Sequence, residues 1–201
     1  RVVVDVSPSI GEVTEGMPVQ EAQGKCMDAG LVEADMSWCG QVFNRIVLRL
    51  ANLSPVVEAT RLGCAYVDLD GLERSYGNEA RLMDRLLSCV PKHLEPRVGV
   101  SQGKFPAYLA AMTAMPGGAH TPSGNIAEFM VPFSVDVLPV PSKTRAYLHS
   151  FGLHTLGHLA SMPLGPIQAQ FGPMGTRMWH IAKGLDDAPL LSRHSEEQIS
   201  D

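Results

Sequence analysis

The sequence predicts an α+β fold, and three observations carry that expectation. Short β-branched runs at 1–6, 55–60, 65–69 and 97–101 are of strand length for a buried sheet. Amphipathic helical runs alternate with them. From Asn125 onward the pattern changes to short helices broken by Pro and Gly, with no convincing strand.

Each element has a local reason. Asp35 caps a helix that continues to about Leu53, with Trp38, Val42, Ile46, Arg49 and Leu50 at near-helical spacing. Asn78 precedes Glu79-Ala80-Arg81-Leu82-Met83, a cap followed by an amphipathic run that Pro91 ends.

Composition narrows the classes. The chain has 201 residues, 45% of them hydrophobic, which fits a globular core in one large domain or two to three small ones rather than disorder. No apolar run of about 18 residues is present to span a bilayer, and no basic then apolar leader opens the chain, so no membrane is expected and the expected compartment is the cytoplasm. A net charge of −5 argues against strong duplex binding by this stretch alone, because phosphate neutralisation by Lys and Arg dominates such affinity. Cys26, Cys39, Cys64 and Cys89 lack CxxC spacing and read as free buried thiols. His154 and His158 are four apart, but no third ligand follows at a recognisable spacing, so no metal site is expected.

Residues 54–70 read Ser-Pro-Val-Val-Glu-Ala-Thr-Arg-Leu-Gly-Cys-Ala-Tyr-Val-Asp-Leu-Asp. This resembles the palm hairpin of Y-family (translesion, UmuC/DinB-like) DNA polymerases, in which Ser-x-x-x-Glu runs into Ser-Ile-Asp-Glu-Ala-Tyr-Leu-Asp. Aligning Ser54, Glu58, Ala65, Tyr66 and Asp68 puts Gly63 and Cys64 where the family carries its catalytic acid pair. Glycine has no side chain, and a thiol is a poor ligand for hard Mg²⁺. Gly16-Met17-Pro18 with Glu21-Ala22 resembles the end of the fingers signature; the triphosphate-holding Tyr and Arg of active members fall near Val6 and Ser9. Residues 98–104, Val-Gly-Val-Ser-Gln-Gly-Lys, resemble the strand-to-helix step, and Met115 stands where the family has a triphosphate Lys.

The resemblance implies a fingers remnant at 1–34, a mixed α+β palm at 35–124, a small all-helical thumb with helix-hairpin-helix-like segments at 125–191, and a polar linker or tail at 192–201. The family's other acid lies on a first strand before the fingers, and Arg1 in first position implies a piece of a longer protein. In the thumb, Leu138-Pro139-Val140-Pro141-Ser142-Lys143 stands where the family has a Pro-Gly-Ile-Gly hairpin. Proline removes a donor, so phosphate binding there is expected to be weak or lost. The second hairpin, Phe151-Gly152-Leu153-His154-Thr155-Leu156-Gly157-His158, is better kept, and its amides are expected to face a phosphate. The candidate DNA contacts are Lys104, Lys143, Gly152, His154, Thr155, Gly157, Arg177 and Lys183, with a solvated helix face the open alternative for Arg177 and Lys183. Trp179 reads as a core anchor rather than a stacking platform.

The phrasing most resembles ImuB-type proteins, where Tyr-x-Asp-Leu-x-Gly-Leu survives without the acid pair. That implies a protein that is not an enzyme: a catalytically inactive, weakly DNA-binding adaptor in DNA repair, the SOS damage response and translesion synthesis, with no cofactor. Its implied partners are DNA, a catalytic translesion polymerase, the sliding clamp and a RecA-like accessory protein. Two alternatives stand beside it. One is an active translesion polymerase using Mg²⁺ and displaced acids, with Glu58, Asp68 and Asp70 the nearby candidates. The other is a protein-interaction module without DNA binding.

Overall fold

The computed structural model describes residues 1–6, 10–13 and 16–191; the positions of Ser9 and of the 192–201 tail lie outside them. The chain divides after Asn44 into two compact units. In the first, the strand expected at 1–6 reduces to one antiparallel bridge, Val2 to Pro18. The Val3 amide donates to the Met17 carbonyl at 2.8 Å, and the Gly16 amide donates back to Val3 at 2.8 Å. Pro18 has no amide hydrogen to continue the ladder and instead opens helix α1 (Val19–Lys25). Glu21 in the first turn and Lys25 in the last complement the helix dipole.

Helix α2 (Met36–Ala51) begins where its cap predicts, with the Asp35 carboxylate accepting the Trp38 amide at 2.9 Å. Its buried face is Ile46, Val47 and Leu50. Trp38, expected on that stripe, is exposed instead.

The second unit starts with an antiparallel hairpin, β1 (Val57–Arg61) and β2 (Cys64–Val67), in the register Val57 to Val67, Glu58 to Tyr66 and Ala59 to Ala65. The pairing slips between Ala59 and Arg61, so that Arg61 opposes Cys64 across the turn. Buried Ser54 ties the open end: its hydroxyl donates to the Asp68 carbonyl at 2.8 Å. Helices α3 (Leu72–Tyr76) and α4 (Glu79–Ser88) follow, the latter capped by Asn78 accepting from the Arg81 amide.

Strand β3 (Val98–Gly99) pairs in parallel with β4 (Ala119–His120), a strand the sequence did not announce. Between them runs α5 (Lys104–Thr113), whose Phe105, Pro106, Leu109 and Ala110 are buried. Helix and strand touch through Gly99: a Cβ there would stand 2.1 Å from the Ala107 carbonyl oxygen and 2.2 Å from the Ala111 nitrogen.

The remaining helices are α6 (Ile126–Met130), α7 (Ser142–Ser150), α8 (Leu156–Ser161) and α9 (Leu164–Ala182). The last is two helices joined at Gly172, whose backbone is non-helical just before Pro173. The main core lies among these helices and α5, where Leu109, Met130, Val135, Leu148, Leu156 and Leu159 have no exposed surface. Each such side chain contributes about 1.5–3 kcal/mol of burial. The mixed architecture is the expected α+β class, with helices dominating.

Gly99→Ala is expected to destabilise by about 3 kcal/mol or more, since backbone on two sides must move. Gly165→Ala, with open space around its position, is the control and should unfold at or near the native urea midpoint.

Candidate functional site

Two elements compose the site, the β1–β2 hairpin and the start of α5. Lys104 opens α5, and its ammonium meets the Glu58 carboxylate at 2.6 Å; the two side chains are only 18% and 16% exposed. The same Glu58 oxygen accepts the Leu191 amide at 2.7 Å. Burial opposes ionisation of Glu58, but the bonds from Lys104 and Leu191, with the Lys104 charge, outweigh it and hold the carboxyl below its ordinary value. Lys104, a candidate DNA contact, is thus engaged within the protein.

Arg61 lies beside the hairpin turn and donates through Nη2 to the Tyr108 hydroxyl at 2.7 Å, its guanidinium carbon 5.1 Å from that ring's centre. Tyr66, on β2, has its phenol pushed well above the ordinary value, first by burial and then by neighbouring Cys64 and Asp186. Gly63 sits in the turn at φ +80° and Cys64 is half-buried next to it. The four cysteines are free, and only Cys89 is buried; the expectation of buried thiols fails for the other three. Asp68 accepts the Asp70 amide at 3.1 Å, which turns its carboxylate into the loop that follows β2. Met115 is 77% exposed.

The structure spends the hairpin amides of the thumb-like region internally. Gly152 donates to His149, Leu156 to Phe133 and Gly157 to Val131 carbonyls at 2.8–3.1 Å. Thr155 caps α8 by accepting the His158 amide at 3.1 Å. The Gly157 position is needed for packing, because a Cβ there would meet Val131 Cγ1 at 2.8 Å. The amides of Gly152, Leu156 and Gly157, among those expected to face a phosphate, therefore have partners already.

What this region presents to solvent is side-chain cations. Lys143 lies 5.8 Å from the Tyr147 ring centre, and Lys183 lies 4.0 Å from that of Trp179. Trp179 itself donates through Nε1 to the Met162 carbonyl at 2.7 Å and packs against the core, as an anchor does. Arg177 borders an open, mainly apolar cleft of about 320 Å³ with Leu138, Pro139, Val140, Pro173 and Met174. A cluster the sequence did not single out joins His149 to Asp136 (Nε2 to Oδ1, 2.9 Å) and to His154 (Nδ1 to Nδ1, 2.9 Å). The bond from His149, working against burial, holds the Asp136 carboxyl below its ordinary value. The spacings of 13 and 5 residues follow no motif. Among the described residues no group of three His, Cys, Asp or Glu is placed to hold a metal ion, and no helix is long and apolar enough to cross a membrane.

Hairpin, helix and helical region together define the fold of the Y-family DNA polymerases. The chain superposes on a DinB family error-prone DNA polymerase from Sulfolobus solfataricus with a TM-score of 0.72 and 20% identity, covering 94% of this chain and 60% of that one. The impB/mucB/samB family model matches residues 3–112, and the chain belongs to that family. It is 27% identical over 192 residues to a protein named DNA polymerase IV from Dehalococcoides mccartyi strain CBDB1, covering 94% of this chain and 49% of that protein. It is 30% identical over 189 residues to a DNA polymerase IV from Caulobacter vibrioides, covering 92% and 47%. The chain spans about half the length of the curated relatives it matches.

These relatives overturn the expectation that the protein is not an enzyme. Proteins matched along nearly the whole chain carry the name of a polymerase. That expectation took the absence of three donors as absence of function, whereas the framework that positions donors is kept.

Because folded Glu58 binds its proton less tightly than unfolded Glu58, the stabilisation from its partners is full above the ordinary carboxylate value. It is lost as pH falls through the lower folded value. Glu58→Gln is expected to flatten the pH dependence of the urea midpoint below about pH 4.5, measured against the native protein.

Proposed function

We propose that this chain is part of a translesion DNA polymerase, a nucleotidyltransferase that extends a primer on a damaged template. The observation that carries the reading is the match to DNA polymerase IV sequences over 92–94% of the chain, with the palm-type hairpin still seated beside α5. DNA would be held through phosphates by exposed Lys143, Arg177 and His154, with binding that weakens steeply in salt. Arg61, at the hairpin turn with one nitrogen on Tyr108, has donors left for a phosphate oxygen.

The family implies a pair of divalent ions, and the donors in this stretch do not fit one. Gly63 offers nothing, Cys64 offers a soft sulfur, Glu58 is tied through one oxygen to Lys104 and Leu191, and Asp68 and Asp70 stand in the loop beyond β2, where Asp68 bonds the Asp70 amide. Activity belongs to the whole protein. From the ImuB-like phrase Tyr66 to Leu72 only the partners are carried over, the sliding clamp, a RecA-like accessory protein and a second polymerase acting with that longer protein, and not the inactivity.

Primer extension by the full-length protein, with Mg²⁺ and templates with and without a lesion, tests the reading. Extension by the native protein is expected. Gly63→Asp combined with Cys64→Glu should raise its rate by no more than about tenfold, the worth of 1.36 kcal/mol, because Arg61 across the turn pairs with the new carboxylates. Tight binding of primer–template with no extension would end the polymerase reading.

A further inference from the structure

Helix α5 starts at Gly103, which has no side chain to cap it and sits at φ +99°. Its first turn is capped from far along the chain: the Asp186 carboxylate, 81 residues from Phe105, accepts the Phe105 amide at 2.7 Å. The two backbones lie in close contact, since a Cβ on Gly103 would come within 2.6 Å of the Asp186 carbonyl oxygen. Five residues later the Leu191 amide donates to Glu58, already paired with Lys104. Between these points burial alternates: residues 184, 186, 188 and 190 are half-buried, and 185, 187, 189 and 191 are exposed. Such period-two alternation belongs to an extended segment with one face laid on the body.

We propose that residues 184–191 are a strap that clasps the exit of the helical region onto the hairpin and the start of α5, with Asp186 as its fastening. Asp186 supplies the cap and the anionic charge that an α5 N-terminus opened by Gly and Lys lacks. Glu58 fastens the far end. The strap couples two places by necessity: a pull on the chain beyond Leu191 reaches Glu58 and Lys104, and a change at Lys104 alters how firmly the exit is held. It stands apart from the polymerase reading and survives or fails without it.

Hydrogen exchange on the full-length protein is the test. Asp186→Ala should speed exchange about tenfold in 184–191 and at the start of α5, with a smaller rise in the hairpin, while 156–161 keeps its native protection. Gly103→Ala, which pushes the strap off, should reproduce that pattern. Asp186→Asn keeps an acceptor and loses the charge, so it should give a smaller rise in the same segments, and it decides the matter if the alanine variant does not fold. Unchanged exchange in 184–191, or an equal rise in 156–161, would overturn the strap.

Discussion

Lys104 is a cation placed at the positive end of a helix dipole, which is electrostatically the wrong end. Glu58 corrects this at 2.6 Å, and Asp186 adds a second carboxylate to the same helix start. The three contacts at this point join residues 46, 81 and 133 positions apart. Removing one partner of a largely buried pair costs more than the pair contributes, because the charge left behind has lost its hydration. The arrangement therefore acts less as a source of stability than as a constraint on where hairpin, helix and exit segment lie.

That constraint matters because the hairpin has little else. A two-stranded ribbon is marginal alone in water, and this one buries only Val57 deeply. Its anchors are polar and specific: Ser54 at the open end, Glu58 in the middle and Arg61 on Tyr108 near the turn. The large apolar core lies among the helices that follow, and α5 contributes Phe105 and Leu109 to it. Helix α5 thus belongs to both regions, apolar on one side and polar at its start.

The parts legible in the sequence are those whose cause is local. Asp35 and Asn78 announced their helices because a cap acts within three residues, and the two hairpin strands were visible because their β-branched runs are local. Strand β4 is two residues long and shows no period, and it exists only because β3 offers it an edge. The Asp136–His149–His154 cluster and the cap from Asp186 are long-range pairings with no spacing rule. The internal bonds of the second hairpin's amides were not visible for a related reason. A motif states which amides a hairpin contains, and only the fold states that Val131 and Phe133 have already taken them. The expectation of an inactive protein failed in the same way, by treating residue identities at three positions as the property of a whole family.

At the hairpin turn, Gly63 and Cys64 bring no carboxylate, and the charge beside them is positive. Across the turn from Cys64 stands Arg61, held by Tyr108. A permanent cation next to a small side chain repels a divalent ion and attracts phosphate oxygens, which a guanidinium fork binds well. Carboxylates introduced at 63 and 64 would find Arg61 within reach as a partner, and a carboxylate paired to arginine is a weaker metal ligand than a free one. Arg61 therefore sets the charge at this turn: a cation with donors left over from Tyr108, and the charge that any metal-binding group placed there must first overcome.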